Sequence, residues 1–276
     1  MKTLKANGAE IPALGLGTFG LKGPQCVDIV TKALRAGYRH IDTAAFYENE
    51  EPIGAAIAAS GIPRDELFIT TKVWPSEISQ GAFQKSVEAS LSRLGLEQVD
   101  LLLIHWPPQN DDIAEWARLL CEAARKGQAR HIGVSNFTTT LLDKMVEACE
   151  LPLVVNQVEC HPYLDQTKIR AACSRHGMAL MAYCPLGKGR ELIEEPVITA
   201  LASEYERSPA QIVLRWHIQH QDAGAIPKTA TPERLLGNLD IFDFELSDAD
   251  MARINTLKEN HIRICDYLFS PQWDAP

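Results

Sequence analysis

Eight times along this chain a short, almost continuously apolar run gives way to a stretch with helical spacing, and no other feature restricts the fold as much. The runs are Leu14–Gly17, Tyr38–Asp42, Leu67–Lys72, Val99–His105, His131–Ser135, Val154–Glu159, Ala179–Tyr183 and Gly224–Pro227. Strands with so little polar alternation are covered on both faces, the condition of a parallel sheet wrapped in helices. Between them, Phe83, Val87, Leu91 and Leu94 share one helical face, as do Ile113, Trp116, Leu120 and Ala124. Pro24 and Pro209 stand where helices begin, and Gly37, Gly95, Gly127 and Gly177 where they end. No Gly/Ser linker, low-complexity tract or charge block interrupts the series. Eight unbroken units predict one α/β domain over residues 1–276, a closed (β/α)₈ TIM barrel. Extra helices are expected, two between Val197 and Gln219 and one over Ser247–Lys258. A short tail, Arg263–Pro276, carries Tyr267, Phe269 and Trp273 and is expected over the barrel mouth.

The formal charge of −9 comes without any cluster of Lys or Arg, so neither a nucleic-acid partner nor an anionic membrane surface is expected. Seven cysteines, an odd number without CxxC spacing, suit free thiols in a reducing compartment and predict neither a disulfide framework nor a bound metal. The first eight residues lack the apolar core of a signal peptide, and no apolar run approaches membrane-spanning length. A cytoplasmic protein, monomeric, acting on a small molecule is the expectation.

Gly15-Leu-Gly17-Thr-Phe-Gly20 matches a dinucleotide-binding glycine motif, with Asp42 at a suitable distance for a ribose-binding acid. The context is wrong for that use. Pro12 falls in the run before it, and Leu-Lys-Gly-Pro follows Gly20 where a phosphate-binding helix should start at once. The same glycines could instead let backbone approach a ligand at the barrel mouth.

Three consecutive runs end in Asp42, Lys72 and His105, and Tyr47 lies in the loop after the first. In such a barrel the C-terminal strand ends converge on one mouth, where chemistry is built. The four side chains suit carbonyl reduction. A carbonyl that accepts hydride develops negative charge on oxygen and needs a proton. A phenol with a reference pKa of about 10 is a weak donor, and a neighbouring ammonium favours its anion. Lys72, held charged by Asp42, is therefore expected to lower the Tyr47 pKa, while His105 donates a hydrogen bond to the carbonyl oxygen. Taken singly, each residue has a plainer use. Asp42 can cap a helix, a strand-end lysine is usually solvated, and His105 and Tyr47 can be core packing. Together at successive strand ends they predict one site.

Along nearly its whole length the chain resembles the aldo-keto reductase family, in particular small bacterial members of the 2,5-diketo-D-gluconate reductase type. The segments that carry the resemblance begin with Gly15-Leu-Gly-Thr-Phe, Tyr38-Arg-His-Ile-Asp-Thr-Ala-Ala-Phe-Tyr-Glu-Asn-Glu, Ile69-Thr-Thr-Lys-Val-Trp and Asp100-Leu-Leu-Leu-Ile-His-Trp-Pro. Ile132-Gly-Val-Ser-Asn-Phe, Asn156-Gln-Val-Glu and Ile226-Pro-Lys-Thr complete them. The resemblance implies a catalytic tetrad of Asp42, Tyr47, Lys72 and His105 and NADPH as cofactor. It places the nicotinamide amide on Ser135, Asn136 and Gln157 and its ring on Tyr183, with Gly17, Thr18, Pro185 and Leu186 beside the cofactor. The adenosine end falls to Lys228, Thr229, Arg234 and Asn238. Two cations with helix N-terminal NH groups make an anion site, which suits a 2′-phosphate; a solvated basic helix face is the plainer alternative. Phe19, Trp74 and Trp106 are expected to line the substrate pocket. Three departures from the family pattern stand out. Gly237 replaces an acid before Asn238, Cys184 replaces a serine, and Phe19 replaces a frequent tryptophan. The competing functions are a Schiff-base aldolase using Lys72, and a non-catalytic NADP(H)-binding barrel acting as redox sensor or regulatory subunit.

Overall fold

The computed structural model describes residues 2–189 and 191–275, so Pro276, the last residue of the expected tail, lies outside it. It opens with an element the hydrophobic pattern did not announce. Strands β1 (Thr3–Ala6) and β2 (Ala9–Pro12) pair antiparallel around Asn7-Gly8. Both turn residues have positive φ, 45° and 86°, as a two-residue hairpin whose twist matches its strands requires. The Asn7 amide donates to the carbonyls of Leu153 and His176, at 2.7 and 2.9 Å. These sit where two barrel strands begin, so the hairpin packs at the N-terminal end of the barrel, opposite the site.

Eight parallel strands follow: β3 (Leu16–Gly17), β4 (His40–Asp42), β5 (Phe68–Val73), β6 (Val99–Ile104), β7 (Ala129–Ser135), β8 (Leu153–Glu159), β9 (Ala179–Tyr183) and β10 (Ala223–Ala225). Each lies beside the next in sequence order. The ring closes between first and last. Gly15 N donates to Ala225 O at 2.9 Å, Ala225 N to Ala13 O at 2.8 Å and Gly17 N to Pro227 O at 3.1 Å. The eight expected runs are these strands, with ends moved by a few residues; Leu14 and Tyr38 fall outside them, and β7 starts at Ala129.

Helices return the chain after each strand: α1 (Gly23–Ala36), α2 (Glu50–Ala59), α3 (Ala82–Leu94), α4 (Ile113–Arg125), α5 (Thr139–Ala148) and α6 (Thr167–Arg175). α7 (Glu191–Glu194), α8 (Pro196–Glu204) and α9 (Pro209–Gln219) precede the last strand, and α10 (Glu233–Leu239) and α11 (Asp248–Asn255) follow it. Local chemistry sets their ends. Asp112 caps α4 by accepting from Glu115 N at 3.1 Å, and Ser208 with Gln211 forms a reciprocal capping box ahead of Pro209. Trp116 and Leu120 of α4 are fully buried, as their spacing predicts. The core is the shell between strands and helices, with a second layer inside the ring. No helix among the described residues is long and apolar enough to cross a membrane.

The glycine motif has a structural explanation. A Cβ on Gly17 would stand 2.6 Å from Ile226 O, and one on Gly15 2.8 Å from the His40 ring. The space beside both residues is taken by the protein itself where β3 closes on the last strand. The missing side chains at Gly15 and Gly17 therefore serve barrel closure.

Candidate active site

Strand register brings the polar residues together. Side chains alternate across a strand, and Asp42 pairs with Thr70 while Lys72 pairs with Leu103. His40 and Asp42, Thr70 and Lys72, and Leu103 and His105 therefore share the inward parity. Contacts agree: His40 Nε2 meets Thr70 Oγ1 at 3.1 Å inside the ring, whereas the intervening Thr71 donates outward to Glu50 on α2 at 2.5 Å. The stagger of a tilted barrel then sets each successive polar residue two positions further along its strand than its neighbour's partner.

At the mouth, Lys72 Nζ is 2.5 Å from Asp42 Oδ1 and donates to Thr43 O at 2.9 Å. Both partners of the pair are buried. The other carboxylate oxygen accepts from Gln157 Nε2 at 2.6 Å, a bond that crosses the ring from β8 to β4. Tyr47, in a short 3₁₀ turn after β4, places its ring 5.0 Å from Lys72 Nζ and 5.4 Å, edge-on, from the His105 ring. The Tyr47 hydroxyl has no hydrogen-bond partner among the described residues. Neither has the buried Nδ1 of His105.

Electrostatics depart from the sequence expectation at one point. Burial, reinforced by the Asp42 carboxylate, pushes the Tyr47 phenol well above its usual range, so the expected lowering by Lys72 is not found. Burial is the larger cause, and the carboxylate that holds the ammonium adds to it. Burial also draws Lys72 below its usual value, with Asp42 opposing. Burial, then the Lys72 charge, hold His105 well below its usual value, so its imidazole is neutral near pH 7.

The amide-bearing residues gather on the adjoining wall. Ser135 Oγ donates to Gln157 O at 2.8 Å. Asn136, with a left-handed φ of 65°, donates to His105 O at 3.0 Å and accepts from Tyr183 Oη at 2.7 Å. Pro185 is buried and Leu186 half-buried just beyond Tyr183. Thr18 is buried, its hydroxyl on Asp42 O at 2.8 Å. Further along the rim, Lys228 and Arg234 are exposed, and neither side chain has a bond or ion pair among the described residues. The helix-terminus contribution expected there is reduced. Thr231 N is used by Thr229 Oγ1 and Arg234 N by Thr231 O, so an anion would rest mainly on the two side chains. Asn238 is buried one turn later, and nothing crowds Gly237.

Aromatic rings frame the opening. Phe19, largely exposed, meets Tyr47 edge-on at 5.0 Å, and Trp74 meets His105 edge-on at 5.1 Å. Trp106 is buried beneath the tail rings of Phe269 and Trp273, at 5.3 and 6.0 Å, while Phe269 reaches Trp74 at 5.6 Å. The tail therefore does fold against this side of the mouth. Phe46 was missed by the sequence reading; it stacks on Trp74 at 4.0 Å and remains half-exposed at the rim. Asn49 was missed too. It accepts from Thr43 Oγ1 at 2.7 Å and donates to Thr18 O and Leu21 O, which fixes the loop bearing Tyr47. Glu159 is the third: its buried carboxylate accepts from His161 Nε2 and from the tail amides of Ile264 and Cys265, at 2.9, 2.6 and 2.7 Å. All three stand inside or beside the motifs, but only their long-range partners reveal what they hold.

The model of the Aldo/keto reductase family matches residues 13–259. An aldo-keto reductase of Mycobacterium avium (strain 104) is 46% identical over 252 residues, 91% of this chain and 87% of that one. Glyoxal reductase of Bacillus subtilis (strain 168) is 42% identical over 255 residues, 92% of this chain and 91% of that one. A crystal structure assigned as a candidate 2,5-diketo-D-gluconic acid reductase B superposes with a TM-score of 0.96 at 42% identity, covering 100% of this chain and 98% of the other.

Proposed function

The chain belongs to the aldo/keto reductase family, and from that premise we propose that it reduces small aldehydes and ketones with NADPH, Tyr47 serving as general acid. The observation that carries this reading is the convergence of Asp42, Lys72, Tyr47 and His105 from separate loops and strand ends, with the Tyr47 hydroxyl left unbonded. The donor set also fits the cofactor. Ser135, Asn136 and Gln157 offer a cluster of amide and hydroxyl groups to a carboxamide, Tyr183 offers a ring face, and Lys228 and Arg234 offer two unpaired cations to a phosphate. When bound, reduced nicotinamide supplies the hydride. Thr18 and Gly17, Pro185 and Leu186, and Thr229 and Asn238 complete the proposed contacts.

In this reading the neutral His105 presents an N–H to the carbonyl oxygen and fixes its position beside Tyr47. Negative charge growing on that oxygen gives it alkoxide character, which is far more basic than a phenolate. The proton therefore moves from Tyr47 even though burial holds the phenol tightly. Lys72 then faces the Tyr47 anion at short range and lowers its cost, while Asp42 and Gln157 keep Lys72 in place. Phe19, Phe46, Trp74 and Trp106 form an apolar rim that excludes water from the transfer. The Schiff-base alternative is disfavoured because Lys72 is fully buried, and its ammonium is held by Asp42 and Thr43. A cytoplasmic location suits the seven cysteines, all present as thiols.

The test is NADPH oxidation against methylglyoxal, diketones, aryl aldehydes, keto esters and sugar-derived ketones, with Tyr47→Phe beside the unaltered protein. Dicarbonyls head the panel because two of the three relatives, the glyoxal reductase and the 2,5-diketo-D-gluconic acid reductase, carry them in their names. The variant should lose about 10²–10⁴-fold in turnover, the usual worth of a positioned acid, with NADPH binding unchanged. Near-normal turnover by Tyr47→Phe would refute the role of Tyr47. NADPH binding without turnover of any carbonyl would favour a non-catalytic sensor.

A further inference from the structure

Two thiols that take no part in this chemistry meet at the edge of the site. Cys184 follows Tyr183 at the end of β9, with a left-handed φ of 48°. Cys265 lies on the tail, 81 residues away, and its Sγ is 3.9 Å from that of Cys184. The tail is pinned at this point, since Cys265 N donates to Glu159. Cys184 is half-buried and Cys265 almost wholly buried, so the pair is reachable by small molecules from one side.

We propose that Cys184 and Cys265 form a modification site at which a hydroperoxide oxidises the two thiols to a disulfide, joining the tail to the end of β9. A disulfide S–S bond is about 2.05 Å long, so the sulfurs must approach by roughly 1.9 Å from their separation of 3.9 Å. The shared proton prepares the pair. Either sulfur can donate in this contact, which draws the Cys265 thiol below its usual value while Cys184 is raised in return. Lys188 nearby adds to the lowering at Cys265.

The steps balance with hydrogen peroxide as oxidant. The Cys265 thiolate attacks one peroxide oxygen, the O–O bond breaks, and the departing hydroxide takes the Cys184 proton to become water. Cys265 is then a sulfenic acid. The Cys184 thiolate attacks its sulfur, the S–O bond breaks, and a second hydroxide leaves. Two electrons pass from the sulfur pair to the peroxide. The functional consequence rests on the proposed reading of the site: a dinucleotide stacked on Tyr183 and running past Pro185 would lie along the joined seam, so its binding should change on oxidation.

Cys121 and Cys149 provide an internal control. Cys149 is the first cause that draws Cys121 down to about 6, but the two sit on α4 and after α5, away from the mouth. The experiment treats the whole protein with hydrogen peroxide, then maps non-reduced peptides by mass spectrometry. A peptide joining Cys184 to Cys265, lost on reduction with dithiothreitol and absent from Cys184→Ser and Cys265→Ser, is the expected result. NADPH affinity, read by protein fluorescence, should shift by about tenfold in the oxidised protein, or 1.4 kcal/mol, and not in oxidised Cys265→Ser. Free thiols at both positions, or a Cys121–Cys149 link alone, would overturn the proposal. An equal affinity shift in Cys265→Ser would also overturn it. If the reduced protein binds no dinucleotide, the functional reading fails, and the peptide map still decides the disulfide.

Discussion

Replacing Lys72 by methionine separates two jobs of the Asp42–Lys72 pair, holding the fold and serving the site. Methionine keeps most of the length of the side chain and removes the charge. Asp42 then remains as a buried carboxylate whose closest cationic partner, 2.5 Å away, is gone. Breaking a buried pair from one side costs about 3–5 kcal/mol, because the other charge is left without compensation. Here Asp42 keeps the 2.6 Å bond from Gln157, which places the loss near the lower end, about 3 kcal/mol. Against a total stability of about 5–15 kcal/mol, that is a large fraction. Asp42→Asn alone strands the buried ammonium on Thr43 O and should cost a similar amount. The double variant carries no charge at the site, so it should be more stable than the sum of the two losses predicts, by about 1–3 kcal/mol. Urea denaturation followed by tryptophan fluorescence measures all four proteins. A loss below about 1 kcal/mol for Lys72→Met, or strictly additive losses in the double variant, would refute a buried, mutually dependent pair.

Two further outcomes follow from the same structure. His217 is fully buried, donates from Nε2 to Pro185 O at 3.2 Å, and is lowered by burial to about 3. An unfolded histidine titrates near 6.5; below that pH the unfolded chain binds a proton that the fold refuses, so stability is complete above pH 6.5 and falls as pH drops. The slope from this residue is at most about 1.4 kcal/mol per pH unit, and denaturation midpoints from pH 7 to 4.5 should flatten in His217→Gln; an unchanged slope would remove His217 from the account. Arg234→Ala should weaken NADPH by about tenfold and NADH by less than about twofold, measured by fluorescence titration, and equal losses would undo the 2′-phosphate assignment.

The order of strands and helices was legible because it is a one-dimensional signal. Apolar runs such as Val99–Ile104 and faces such as Phe83, Val87 and Leu91 announce burial without knowledge of partners. The Asn7-Gly8 hairpin was also written locally, in its turn residues, but its strands alternate too briefly to stand out from the runs around them. Asp42, Lys72 and His105 could be proposed as neighbours because barrel topology sends every strand end to one mouth. Phe46, Asn49 and Glu159 could not, since their roles depend on Trp74, Leu21 and the tail amides, which lie far away in sequence.

By itself, then, the sequence determined the repeating unit, its direction and the set of polar side chains at the strand ends, because periodicity and parity are properties of consecutive residues. Only the tertiary structure decided how those side chains act on one another. Lys72 was expected to acidify Tyr47, but burial, with the Asp42 carboxylate that sits 2.5 Å from the ammonium, raises its pKa instead. Electrostatic coupling depends on distances and exposure to water that emerge only when the ring has closed.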